Sequence, residues 1–211
     1  VQIGVVNGVQ GISWQRLTID GRAAHAGTTP TQLRLDAGLA AAEIIVKLRA
    51  MADSGEFGDL RCTVGQIEAW PGLTNIVPQR AVITVDLRNP DDAQMSRAEA
   101  VLDAYCRSLE ERWQGLQITA ERLAKTAHVP FDPEVQDVIA KAAAELGLSQ
   151  RSILSGAGHD AQEMAAICPA AMIFVPGEFD GISHNPREYS TPEACAQGVS
   201  VLARSVLEMA S

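Results

Sequence analysis

The chain has 211 residues, 46% of them hydrophobic and 20% charged, with 26 acidic against 17 basic side chains and a formal net charge of −9. That composition can bury a core in one large or two small domains, and it excludes a disordered chain. The acidic balance and the lack of any basic stripe argue against nucleic acid or an anionic membrane as a partner.

In chain order, Val1-Gln-Ile-Gly-Val-Val6 is already a strand-like run, and the sequence reads as a segment of something longer. Ser13–Asp20 alternates apolar and polar residues and is expected to be a half-buried strand. Leu33, Ala37, Ala40, Ile44, Leu48 and Met51 recur at helical spacing and predict an amphipathic helix stopped at Ser54-Gly55. Arg61–Ala69 and Ala81–Arg88 are strand candidates, separated by a turn-rich segment from Pro71 to Pro78. Pro90-Asp91-Asp92 is a helix start, and Met95, Ala98, Leu102, Tyr105, Leu109 and Trp113 form the stripe that follows. Leu116–Leu123 alternates again. The order over residues 10–124 is β-α-β-β-α-β, the pattern of a ferredoxin-like sandwich.

Beyond residue 125 the pattern changes. Pro133–Leu146 predicts a helix ended by Gly147, and Ser155–Asp160 is a glycine-rich turn entering a short helix that reaches about Ile167. Ala170–Val175 reads as a strand buried on both faces. Thr191 caps a closing helix with Pro192 at its first position. One strand, with Val1–Val6 as a second, is too few for a parallel sheet, so this part reads as a piece of an α/β domain. The longest apolar stretch, Ile167–Pro176, is too short to cross a bilayer, and no signal peptide is visible. Cys62, Cys106, Cys168 and Cys195 lack motif spacing, which favours free thiols in a reducing cytoplasm.

Four places carry residues suited to chemistry. His184 lies in Gly181-Ile-Ser-His-Asn-Pro186, after the apolar run, where a histidine can bind metal or transfer protons. A catalytic zinc needs about three protein ligands, and no H-x-x-E-H, H-E-x-x-H, H-x-D or C-x-x-C is present. His25 projects from the rigid loop Gly21–Pro30; spacing does not choose between a loop histidine bonded to nearby backbone and a donor to a developing oxyanion. Asp86 and Arg88 share a strand face. Arg88 suits a bidentate clamp on a substrate carboxylate, or equally an ion pair with Asp86; Asn75, in Thr74–Pro78, suits a polar contact or a plain turn. Ser155–Asp160 offers backbone N–H groups at a helix start, with His159 and Asp160 as supporting or capping residues. His128, on the Ala127–Pro130 connector, is assigned to the surface.

Several runs then occur in one order: Gly21-Arg-Ala-Ala-His-Ala-Gly-Thr-Thr-Pro30, Arg34-Leu-Asp-Ala37, Thr63-Val-Gly65, Thr74-Asn-Ile-Val-Pro78, Asp86-Leu-Arg88, Ser155-Gly-Ala-Gly-His-Asp-Ala161 and Ile182-Ser-His-Asn-Pro186. Together they resemble the N-carbamoyl-L-amino-acid hydrolase, allantoate amidohydrolase and β-ureidopropionase group of the dinuclear-metal aminoacylase and carboxypeptidase superfamily. The resemblance covers essentially the whole chain, and the joint order of the runs is its specific part.

The resemblance implies an α/β metal-binding domain, represented by residues 1–9 and 125–211, and an inserted dimerisation and lid domain over 10–124. It implies a homodimer acting on a small ureido substrate with two divalent ions: zinc, manganese or cobalt. By motif, His184 resembles a metal ligand and His25 the histidine that one subunit presents to the reacting carbonyl of its neighbour. Asn75, Arg88 and the Gly156 backbone resemble the clamp on the substrate carboxylate. The group's H-x-D motif, its tandem glutamates and another ligand histidine belong to an N-terminal catalytic segment not found in these residues. The expectation is therefore a chain that supplies the lid, the clamp and one metal ligand, and that neither holds metal tightly nor turns over substrate alone. A deacylase or peptidase of the wider superfamily, and a non-catalytic dimerisation fragment, are the rival readings.

Overall fold

In the computed structural model, which describes residues 1–211, the first element is a strand, β1 (Ile3–Val9). Its Ile3, Val5, Val6 and Val9 are at most 3% exposed, so both faces of the strand are covered. The chain divides into two compact units, one formed by residues 11–128 and the other by 1–10 with 129–211. No helix is long and apolar enough to cross a membrane.

The 11–128 unit begins with β2 (Gly11–Asp20), then the two-residue β3 (Ala24–His25) and a 3₁₀ turn at Thr31–Leu33. Helix α1 (Ala37–Asp53), β4 (Arg61–Trp70), β5 (Ile76–Val77), β6 (Arg80–Asn89), α2 (Asp92–Arg112) and β7 (Gln117–Thr126) follow. Four of these strands form an antiparallel sheet in the order β4-β6-β2-β7. Leu17, Ile19, Ile83, Val85 and Leu87 from the sheet share one core with Ile44 and Leu48 of α1 and Leu102 and Leu109 of α2. Each such fully buried side chain contributes about 1.5–3 kcal/mol relative to exposure, so this core fixes which face of β6 looks outward.

The helix starts follow from capping chemistry. Asp36 accepts the Leu39 N–H at 3.0 Å, and Asp91 accepts those of Ala93 and Gln94 at 2.8 and 3.0 Å. Three members of the expected stripes are corrected. Leu33 lies before the Asp36 cap, in the 3₁₀ turn, and is exposed. Trp113 sits past the end of α2 with the Arg112 guanidinium stacked on its ring, and Cys106 is buried where Tyr105, bonded to Glu43, is only half-buried. Buried Ser13 is drawn into a polar network on Glu99, which also takes Lys125 at 2.6 Å and Arg122. These contacts pin α2 to β7.

The other unit is completed by β8 (Val129–Pro130), α3 (Pro133–Glu145), β9 (Gln150–Ser155), α4 (Ala161–Ala165), β10 (Met172–Phe174) and α5 (Pro192–Met209). Here the structure corrects the expected strand count. β1 pairs in parallel with β9 and antiparallel with β10 and β8, so this unit holds a mixed sheet. β9 escaped the sequence pattern because Gln150, Arg151 and Ser152 are exposed and only its second half is covered. β10 is shorter than Ala170–Val175 and half-buried throughout, as suits a strand with a single neighbour. Ile3 and Val5 pack with Ile139, Ala142 and Ala143 of α3 and Val201 of α5. Thr191 caps α5 through the Ala194 N–H at 3.1 Å.

Candidate functional site

In the 11–128 unit, the loop between β2 and α1 is closed by backbone approach before any side chain acts. The Gly21 N–H donates to the Gln79 carbonyl at 2.7 Å and the Arg22 N–H to the Leu35 carbonyl at 2.8 Å. A Cβ on Gly21 would stand 2.2 Å from the Leu35 carbonyl oxygen, so only glycine permits this closure. The loop then folds outward as β3, which pairs antiparallel with β5 and sets His25 opposite Ile76. The Ala26 N–H donates to the Asn75 carbonyl at 2.9 Å. His25, which lies in this small sheet, and Asn75, which directly precedes its second strand, are thus held side by side.

The His25 ring is exposed and turned back over its own turn. Its Nδ1 accepts the Gly27 N–H at 3.0 Å and the Thr28 N–H at 3.1 Å. A ring nitrogen that accepts two hydrogen bonds has no proton of its own, so in the neutral imidazole Nε2 carries it and is a donor. The bonded-to-backbone reading and the donor reading are therefore compatible: the backbone uses one nitrogen and fixes the other as N–H.

Arg88 lies on β6, where Ile83, Val85 and Leu87 are at most 1% exposed and Thr84, Asp86 and Arg88 form the outward series. Its Nε lies 3.1 Å from both Asp86 carboxylate oxygens and its Nη2 2.8 Å from Oδ2. The ion pair weighed against the clamp exists, and the fork holds the guanidinium plane. Burial first, and the Asp86 carboxylate second, push the neighbouring Cys62 thiol up to about 11. Cys106 is likewise pushed up to about 11, chiefly by burial. Both thiols are therefore held in the protonated form at neutral pH, which makes them poor nucleophiles.

In the other unit, the Gly156 carbonyl accepts the Nε2 of buried Gln10 at 2.8 Å, and Ser155 and Ala157 bond each other across the turn. This ties the glycine-rich turn to the end of β1. Helix α4 is only five residues long, and the Asp160 side chain makes no capping bond; Gln162 takes the His159 N–H instead. A turn that short carries little dipole, so the start of α4 is a weak anion site by itself. His159 packs on the Phe174 ring, 5.8 Å between centroids.

His184 is exposed and has φ 55°, and Phe179 and Asp180 have φ 53° and 62° in the same loop. Non-glycine residues in the left-handed region are strained and gather at functional positions. The conformation is held by Glu188, whose carboxylate accepts the His184 N–H at 2.9 Å and the Ser183 hydroxyl at 3.3 Å. Glu188 was not singled out from sequence; an acid four residues beyond a loop histidine was the available signal. No group of three or more His, Cys, Asp or Glu side chains lies close enough to hold a metal ion. His184 alone does not make a metal centre, and the residues of this chain do not fit one by themselves.

Comparison with known proteins bears on the whole chain. Residues 4–208 match the family model described as peptidase family M20/M25/M40. The N-carbamoyl-L-amino-acid amidohydrolase of Rhizobium meliloti is 38% identical over 209 residues, covering 99% of this chain and 50% of that protein. The allantoate amidohydrolase of Bacillus subtilis is 30% identical over 213 residues, covering 99% and 50% respectively. Among solved structures, an amidase of the hydantoinase/carbamoylase family from Burkholderia multivorans superposes with a TM-score of 0.89 at 38% identity, over 98% of this chain and 50% of that one. The chain thus spans about half the length of the curated relatives it matches. Its resemblance to carbamoyl-amino-acid and allantoate amidohydrolases extends over both compact units, and the chain belongs to the peptidase family M20/M25/M40.

Proposed function

We propose that this chain is the lid, substrate clamp and one metal ligand of an amidohydrolase that cleaves the ureido C–N bond of a small carboxylate-bearing substrate. N-carbamoyl-L-amino acids, allantoate and related ureido acids share these two handles. The observation that carries the reading is the fixed His25 ring. With Nδ1 occupied by two backbone N–H groups, Nε2–H is a preorganised donor, suited to the carbonyl oxygen as it gains negative charge. The similarity to relatives named for carbamoyl and allantoate hydrolysis supports the choice of substrate class.

The 10–124 region reads as the ferredoxin-like insert, supported by its antiparallel strand order, and as the dimerisation and lid domain that presents His25 to a second copy. Residues 1–9 and 125–211 read as part of the catalytic α/β domain. Two divalent ions, held by His184 together with ligands from outside these residues, complete the centre. Arg88 and Asn75, with the Gly156 backbone, hold the substrate carboxylate and so fix the ureido carbon in place.

Replacing Arg88 by Lys in the full-length protein raises KM by roughly tenfold, the order of one charge-assisted hydrogen bond, with kcat largely kept. An unchanged KM in steady-state assays removes Arg88 from the clamp. The 211-residue chain alone releases no ammonia from N-carbamoyl substrates and takes up zinc weakly in dialysis. Turnover with stoichiometric tight zinc contradicts the division of labour proposed. The family description as peptidase favours one rival, a deacylase or dipeptidase; ammonia release from N-carbamoyl substrates, set against hydrolysis of N-acyl and dipeptide substrates, separates the two.

A further inference from the structure

We infer that Arg34 is a positioning residue for His25: its guanidinium clamps both ends of the turn whose N–H groups fix the imidazole tautomer. This rests on the reading of His25 as a donor to the reacting carbonyl. Arg34 lies before the α1 cap, half-buried, and projects back into its own loop. Its Nη2 donates to the Ala26 carbonyl at 2.7 Å and its Nε to the Thr29 carbonyl at 3.0 Å. Between these two anchored carbonyls lie the N–H groups of Gly27 and Thr28, the two that meet His25 Nδ1. The Thr29 N–H closes the same turn on the His25 carbonyl at 3.2 Å.

The arrangement is a chain of fixed geometry. One planar fork holds two carbonyls, the carbonyls fix the peptide planes between them, and those planes aim two N–H groups at one ring nitrogen. Only a guanidinium offers two donors at a rigid spacing; a lysine ammonium is a point charge on a flexible stem. The turn otherwise stands on an exposed loop, with His25, Ala26, Gly27 and Thr28 all exposed, and no core packing holds it. Without the fork, the Gly27 and Thr28 amides turn to water and the imidazole regains both neutral tautomers. Nε2–H is then donor for only part of the time, and its direction is no longer set.

The test reads the tautomer itself. The chain has four histidines, so ¹⁵N-histidine labelling of the full chain, at a pH above imidazole titration, resolves His25 from His128, His159 and His184. The wild type shows one His25 tautomer, proton on Nε2. Arg34→Ala gives the averaged pattern of a solvent-exposed histidine, and Arg34→Lys an intermediate one, while the other three histidines keep their shifts and report an intact fold. An unchanged His25 pattern in either variant overturns the proposal, and the lysine variant decides it should the alanine variant not fold. In the full-length enzyme, Arg34→Ala lowers kcat about 10–100-fold, the scale of a misplaced catalytic group, with KM held. A tautomer change without loss of kcat keeps Arg34 as the positioner and counts against the role of His25 in the reaction. An unchanged tautomer counts against Arg34 whatever the rate.

Discussion

His25→Ala in the full-length protein is expected to lower kcat by about 10²–10³-fold, the usual effect of deleting one oxyanion donor. KM should stay within a few-fold and metal content should be unchanged. Nδ1 is committed to Gly27 and Thr28, so His25 has one group to offer, and that group is a donor in the neutral ring. A donor aimed at charge that develops only in the transition state affects kcat, not ground-state binding. His25→Asn tests the same point from the other side. Asparagine keeps an N–H but not the ring that reaches back to the turn, so it should recover little. A near-wild-type kcat in His25→Ala would falsify the assignment.

Gly21→Ala is expected to destabilise the 11–128 unit by about 3 kcal/mol, the upper part of the range for overpacking. The added Cβ meets backbone: the Leu35 oxygen at 2.2 Å, the Leu35 carbonyl carbon at 3.0 Å and the Ala37 nitrogen at 3.2 Å. No rotamer relieves such a clash, and the segments it separates are those that close the His25 loop. Gly55→Ala is the control. Gly55 has φ +68° and nothing within 4 Å of an added Cβ, so it carries only the left-handed penalty of about 1–2 kcal/mol. Urea midpoints for the two variants should fall in that order. Equal losses would mean that the loop opens at Gly21 with little resistance.

Much of the 11–128 unit was legible because its helices and strands differ in period. Leu17 and Ile19, or Val85 and Leu87, alternate cleanly, and Ile44, Leu48 and Met51 repeat at helical spacing, since each element buries one face on one core. The second unit was harder to read. β9 covers only its second half, and β10 is an edge strand with no fully buried residue, so neither has a strong period. His25, Asn75, Gly156 and His184 were legible as residues in polar turns, and Arg88 as a strand residue able to pair with Asp86, which it does. What His25 bonds was not legible, because its contacts are made to backbone N–H groups whose aim depends on the folded turn. Nothing in the spacing of Arg34 from Ala26 and Thr29 reveals a fork, and the only sign that Glu188 braces His184 is its place four residues further along the chain. Leu33 shows the opposite error, a helical period continued past the residue that caps the helix.

The place of β1 has a consequence for how the chain reaches this state. Its pairing partners come from beyond residue 128, and the Gln2 N–H bonds Ser149 across a sequence separation of 147. The intervening unit begins and ends on paired strands, with Ile12 opposite Thr126. Once that unit has folded, its entry and exit are neighbours, and the contour β1 must close is several times shorter. At about 0.6 kcal/mol per doubling of loop length, the saving is roughly 1.4 kcal/mol, a tenfold gain in the chance of encounter. That topology favours an order in which the central segment folds on its own contacts before β1 pairs.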